Sequence, residues 1–252
     1  MSKTHAKNMR VLFGGANLSG DSRDIGSIGL QHDTAEAFGF DATLKERLVG
    51  HADAMLGPLQ ALFNDTPAAI GPVEPGSHIT LNAIGQPIAS VFIGSGQAPA
   101  IGDVAYSMTT QQTSYTVTGT NTEAVIINAD FTTRADSVFA GWGRALAVGA
   151  SVSATTSLAS VDNGAQTTAG GTAVLHVTQS VAAMGTNDWA ITLEDSTNGS
   201  DWAALGTAFT ADGSATTAEL QTISGTIRRY VRAVATKTTG NDIIIWINLV
   251  RN

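Results

Sequence analysis

The chain has 252 residues, no cysteine, and a net charge of −8 from 13 Lys plus Arg against 21 Asp plus Glu. Disulfides, thiolate metal sites and cysteine nucleophiles are excluded, and so acidic a chain is poorly suited to gripping a phosphate backbone or an anionic membrane. Charged residues make up only 13% of the chain, against about 25% in an ordinary soluble domain. Either other subunits cover much of the surface, or the chain is a Ser- and Thr-rich extracellular β-sandwich.

Residues 1–8 form a polar arm that lacks the apolar stretch of a signal peptide. No run of about 18 apolar residues occurs anywhere, so the chain is expected to be made and assembled in the cytoplasm, with no membrane partner. Arg10 to Phe13 reads as a strand ended by the turn Gly14-Gly15, and Ser27 to His32 as another. Thr43 and Glu46 have capping-box spacing, which predicts a short helix over Thr43–Val49 closed by Gly50. Leu48, Ala52, Met55, Leu56, Leu59 and Phe63 continue a helical period, but Gly57-Pro58 breaks it, so a strand is expected near 54–63.

Residues 64–102 hold five prolines and leave room for two short strands, near 78–83 and 88–93. A structureless excursion of this length needs a reason. Its apolar residues, among them Ile70, Ile79, Leu81, Ile84 and Phe92, would make a sticky patch on a monomer. They are therefore expected, together with the arm, to meet a neighbouring subunit or ring.

Beyond residue 102 the pattern is nearly all β. Ser114 to Thr118 alternates, Glu123 to Asn128 does so in part, and residues 149–171 read as a linker or edge loop. Four segments are dense in β-branched residues: Thr172–Val177, Trp189–Glu194, Arg229–Val234 and Ile243–Val250. Turn chemistry at Asn198-Gly199, Asp212-Gly213 and Thr239-Gly240-Asn241 separates them, and the last two segments are expected to pair as a hairpin.

No catalytic constellation emerges. The five histidines are scattered, no HExxH or Walker lysine is present, and Gly94-Ser95-Gly96 lacks the spacing of a nucleophile elbow. Asp21, Asp24, Asp33, Glu36 and Asp41 cluster in sequence, as a glycosidase pair or simply as a solvated acidic surface. Trp189 and Trp202 flank the Asp195–Ser200 turn; exposed they would stack on sugar rings, buried they would be core. Trp246 reads as core, and Trp142 as an interface residue. No cofactor, metal or enzymatic activity is expected.

Three stretches carry a resemblance: Gly170-Gly171 leading into Thr172–Val177; Leu193 to Trp202 followed by Phe209-Thr210; and Arg229-Tyr230-Val231-Arg232 with a last strand ending at Arg251. Asn17 to Asp21 and Lys45 to Gly50 add to it. In this order they resemble the major tail protein family of long-tailed bacteriophages.

That resemblance implies a mainly β, sandwich- or barrel-forming tail-tube fold over 1–252, with one short flanking α-helix and a long inter-subunit loop. A second division, tandem β units over 1–140 and 141–252, stays open. It also implies a structural virion protein whose rings, usually homo-hexameric, stack into a hollow tail tube through which DNA is ejected. Its partners would be copies of itself and other tail proteins, and DNA would pass without specific binding. An acidic lumen would suit such passage, with Asp21, Asp24, Asp33 and Glu36 as candidate lining residues. The alternative is a carbohydrate-binding β-sandwich of a fibre or cell-surface protein.

Overall fold

The computed structural model describes residues 4–37, 46–67, 75–82, 85, 87–136, 138–180 and 189–252; the side chains of 33–37, 46–52, 179 and 180 lie outside that description. In chain order, a 3-10 turn (Ala6–Asn8) precedes β1 (Met9–Phe13), β2 (Ala16–Asn17), β3 (Ser22–Ala37) and β4 (Glu46–Leu62). Then come helix α1 (Ser77–Leu81), β5 (Ile88–Ile93), β6 (Val104–Thr118), β7 (Ile126–Thr133) and β8 (Ala140–Val152). β9 (Thr156–Ser157), β10 (Val161–Asp162), β11 (Gly171–Ser180), β12 (Trp189–Ser196), β13 (Ala203–Leu205), β14 (Thr217–Ile223), β15 (Tyr230–Lys237) and β16 (Ile243–Arg251) complete the fold. The mainly β expectation is met, and among the described residues every strand pairing is antiparallel.

The scaffold is one curled sheet in the order β14-β11-β16-β8-β6-β5-β1-β2. It curls until its ends touch. His176 on β11 meets Ser90 on β5 at 2.7 Å, although three strands separate them along the sheet. The glycine turn closes the seam: Gly15, at φ +91°, sits where a Cβ would strike the Thr217 backbone of β14 at 2.4 Å. Glycine is therefore required there twice over, for its left-handed backbone and for the close approach.

Side chains alternate along β16 between two environments. On β16, Ile243, Ile245, Ile247 and Leu249 face outward into one core, while Ile244 and Trp246 face the barrel interior and Asn248 sits between them and the β6 strand. Both faces are covered, which is why the run reads as continuously apolar. The interior packs Leu12, Phe92, Ala105, Ala145 and Trp246. It also carries a buried polar network: Ser90 Oγ is 2.7 Å from both Ser107 Oγ and His176 Nε2, and Asn248 Nδ2 donates to Ser107 Oγ at 2.8 Å. Desolvation pushes the His176 imidazole down to about 3, so it is neutral in the fold.

Two covers lie on the outer face. Over β8, β11 and β16 a five-stranded sheet (β9, β10, β12, β13, β15) closes a core that includes Leu175, Ile191, Leu193, Val231 and Ile245. Over β1, β5 and β6 the second cover is β4, β7 and α1, closing a core with Phe13, Leu56, Leu59, Leu81, Val91 and Phe131. β6 runs through both arrangements, pairing β5 and β8 with its first half and β7 with its second.

Three local expectations are overturned. Glu46–Val49 is extended, not helical: Arg47, Leu48 and Val49 pair with Glu36, Ala35 and Thr34 of β3, and Gly50 continues the strand. Residues 43–45 lie outside the description. The helix is instead Ser77–Leu81, where a strand was expected near 78–83. The Ser77 N–H, at its start, donates to Asp21 Oδ2 at 2.9 Å, an acceptor 56 residues away in sequence that no local pattern reveals. Finally, β15 and β16 do not form a hairpin: β15 pairs β12, β16 pairs β11 and β8, and residues 238–242 cross from one sheet to the other. The indole N–H of Trp189 donates to the Asn241 carbonyl at 2.8 Å and pins that crossing.

Candidate assembly surfaces

Sheet edges are where a β protein meets or avoids its neighbours, because an open edge offers unpaired N–H and C=O groups. Most edges here are short. β2, β9 and β10 have two residues each and β13 has three. The edge strand β14 is overlain by the segment before it: Glu219 accepts hydrogen bonds from the N–H groups of Thr210 and Ala211, and the Gln221 amide donates to Thr207 O.

β3 is different. It spans 16 residues and, among the described residues, pairs only with β4. Ile25 and Ile28 pack against the neighbouring core, whereas Leu30 is 58% exposed.

Exposed apolar side chains follow the same division. Among the described residues the large hydrophobic side chains left exposed are Leu30, Leu62, Phe63, Ile79, Val104, Val117, Val125, Val138 and Trp142, all between residues 30 and 142. Several are neighbours. The Phe63 N–H donates to Val125 O at 2.9 Å, and the Phe63 ring stacks on His78 with centroids 4.6 Å apart. His78 Nδ1 lies 2.7 Å from the Tyr115 hydroxyl, with Ile79 next in sequence.

Charge is distributed unevenly too. In the C-terminal cover Arg229 grips Asp162 through two hydrogen bonds of 2.7 Å. That grip, helped by the Gly164 N–H, holds the Asp162 carboxyl down to about 2. Arg232 pairs with Glu194 at 2.7 Å, and Arg228 with the buried Asp195 at 3.4 Å.

No family model matches the chain, and no curated protein matches it. Among solved structures it is similar to one described as the crystal structure of "SPP1 Dit (gp 19.1) Protein, a Paradigm of Hub Adsorption Apparatus in Gram-positive Infecting Phages". That likeness covers 96% of this chain and 98% of the other, at 11% identity and a TM-score of 0.31. At that level it carries no argument.

The candidate residues read from the sequence fall into distinct places. Asp21 accepts from the Asn64 amide at 3.1 and 3.2 Å and from the Ser77 N–H, so it is a bracket for α1 rather than a free wall charge. Asp24 is exposed but shares a cleft with Lys7, Arg10 and Arg23. Asp33 and Glu36 lie on β3 with side chains outside the description.

Of the excursion residues, Leu81 and Phe92 are 2% and 0% exposed in the chain's own cores, which corrects their assignment as inter-subunit contacts. The excursion is spent largely on the fold itself, with β5 central in the curled sheet. Ile79 remains 40% exposed and available, while Ile70 and Ile84 lie outside the described residues. The arm also folds back from residue 4 onward: Thr4 donates to Gly94 O, and the Gly94 N–H donates to Asn8 O.

Trp189 is buried, and Trp202 is half-buried under the Arg232 guanidinium, 4.1 Å from its ring centroid. Neither forms an open stacking platform. Trp246 is core as expected, and Trp142 is 45% exposed against Tyr106. Among the described residues no group of three or more His, Asp or Glu could hold a metal ion, and no helix is long and apolar enough to cross a membrane. The sequence reading missed the open β3 edge. A 16-residue strand there was hidden by Gly26 and Gly29 and by the bulges at Ser22/Asp24 and His32/Thr34, which break its alternation.

Proposed function

We propose that this chain is a structural subunit that assembles with copies of itself, and that the assembly is the tail tube of a long-tailed phage, built from stacked rings with DNA passing through the lumen. The observation that carries the assembly reading is the open β3 edge. An edge of that length, left unpaired in a monomer, invites uncontrolled association, whereas a closed ring satisfies it at one defined neighbour. The exposed apolar residues between 30 and 142 support the same reading, as does the low overall charge.

The virion context rests on the resemblance of the Gly170–Val177, Leu193–Trp202 and Arg229–Arg251 stretches to tail proteins. A net charge of −8 per subunit is compatible with DNA sliding past without adhering. In this reading the chain does no chemistry, and its location is the virion tail.

Negative-stain microscopy of the purified protein tests the proposal. Rings or hollow tubes are the expected result. A monodisperse monomer at all concentrations, or one that binds glycans, would overturn it.

A further inference from the structure

Cations are not treated alike across the molecule. Arg134, Arg228, Arg229, Arg232 and Lys237 each pair with a carboxylate of the same chain, and Arg144 and Arg251 each donate to a backbone carbonyl. Lys7, Arg10 and Arg23 form no ion pair among the described residues, yet they converge on one cleft of about 320 Å³. His5, Met9, Asp24 and Ile25 are among its other lining residues.

The cleft is built rather than incidental. The 3-10 turn Ala6–Asn8 is capped by the His5 ring, which accepts from the Lys7 N–H at 3.1 Å. The Arg10 guanidinium is held by two backbone carbonyls, of Lys7 at 3.2 Å and Met9 at 2.8 Å. Carbonyls orient a guanidinium but leave its charge uncompensated, and with three cations against the single Asp24 carboxylate the cleft keeps an excess of positive charge for an oxyanion.

The charge balance says where such an oxyanion is found. Residues 1–25 hold four of the 13 cations and two of the 21 acids, a net +2, which leaves −10 on the rest of the chain. A second copy therefore presents an acidic surface to a basic head. We propose that this cleft is a docking site for a carboxylate-bearing segment of a second copy of the chain, making the contact head-to-body and heterologous. A heterologous contact propagates into a ring or filament instead of closing as a pair. The apolar walls at Met9 and Ile25 suit a side-chain carboxylate on a polypeptide, and the Asp24 carboxylate repels a polyanion more strongly than a single negative charge. This inference rests on the self-assembly reading above and adds one face to it.

The test uses the full chain and its Lys7→Glu/Arg23→Glu variant, both positions being exposed, with Arg10→Gln as a second variant. Sedimentation velocity is run from about 0.05 to about 0.5 M salt, a range over which the screening length falls severalfold. Wild type is expected to associate, and to do so less at high salt. The double variant should fold normally by circular dichroism, associate at least about tenfold more weakly at low salt, and lose the salt dependence; Arg10→Gln should fall between. Variants that associate like wild type, with the same salt dependence, would overturn the docking site while leaving self-assembly standing. Millimolar inorganic phosphate that saturates the cleft by NMR without affecting association would also overturn it, marking a small-anion site. A wild-type chain that never associates would overturn both readings.

Discussion

The two covers of the curled sheet differ in how finished they are. The C-terminal cover is complete within the chain: its edge strands are two or three residues long, its described arginines mostly meet their own carboxylates, and no large apolar side chain between 143 and 252 is left exposed among the described residues. The N-terminal half around the other cover is unfinished, with a 16-residue open strand, a run of exposed apolar residues and three cations that form no ion pair among the described residues. Both are built on the same sheet with cores of the same kind. What separates them is the open strand and the exposed apolar side chains on one side, and under the self-assembly proposal that difference divides folding from assembly.

Substitutions that attack the finished half should destabilise the subunit itself. Ile245 is fully buried in the C-terminal core, so Ile245→Asp would strand a charge there and cost about 3–5 kcal/mol or more. Urea titration should show the loss directly, and a variant that melts like wild type would contradict the burial.

Acid should act on the shared barrel. His176 is neutral in the fold with its pKa near 3 and would bind a proton readily once unfolded. The unfolded state thus binds more protons below about pH 6.5, so stability falls with pH through the window from about 6.5 to about 3, by roughly 2 kcal/mol at pH 5. Denaturant titrations across that range check the sign, and His176→Leu should flatten the slope whatever it does to stability at neutral pH.

A smaller effect is expected at Asp195, which is 4% exposed and accepts the Arg228 N–H at 2.8 Å. Asp195→Ala should cost about 1–3 kcal/mol through the lost partner. The smallest effect on the subunit should come from the unfinished half. Leu30→Asp alters a side chain that is 58% exposed, so its melting temperature should match wild type within about 0.5 kcal/mol of stability. Assembly, followed by light scattering, should nonetheless be impaired. Reversal of that pattern, with Leu30→Asp unfolding the subunit, would erase the distinction between the halves.

The finished half was also the legible half. β11, β12, β15 and β16 each appear in the sequence as a dense run of β-branched residues, and Asn198 closes the β12–β13 turn through its side chain, accepting the N–H groups of Ser200 and Asp201 at 2.9 Å. Pairing was not legible: a five-residue connection after Lys237 reads equally well as a hairpin or as a crossing between sheets. In the N-terminal half even element type was obscured. A bulge between Leu56 and Leu59 shifts the buried parity of β4, so Ala54 and Leu56 precede it and Leu59 and Ala61 follow it. That one-residue shift gives the sequence a spacing close to a helical period. The cationic cleft was invisible for a different reason, since Lys7, Arg10 and Arg23 meet only after the turn at Gly14-Gly15 brings the start of β3 back beside the arm.

Hydrogen exchange on the free and the assembled protein tests the central claim most directly, because it reads backbone protection strand by strand. If a neighbour completes the open edge, those amides of residues 22–32 that point away from β4 should exchange quickly in the free subunit and become protected on assembly, while β12, β15 and β16 stay equally protected in both states. Equal exchange across residues 22–32 in the two states, or new protection confined to the C-terminal cover, would contradict the account.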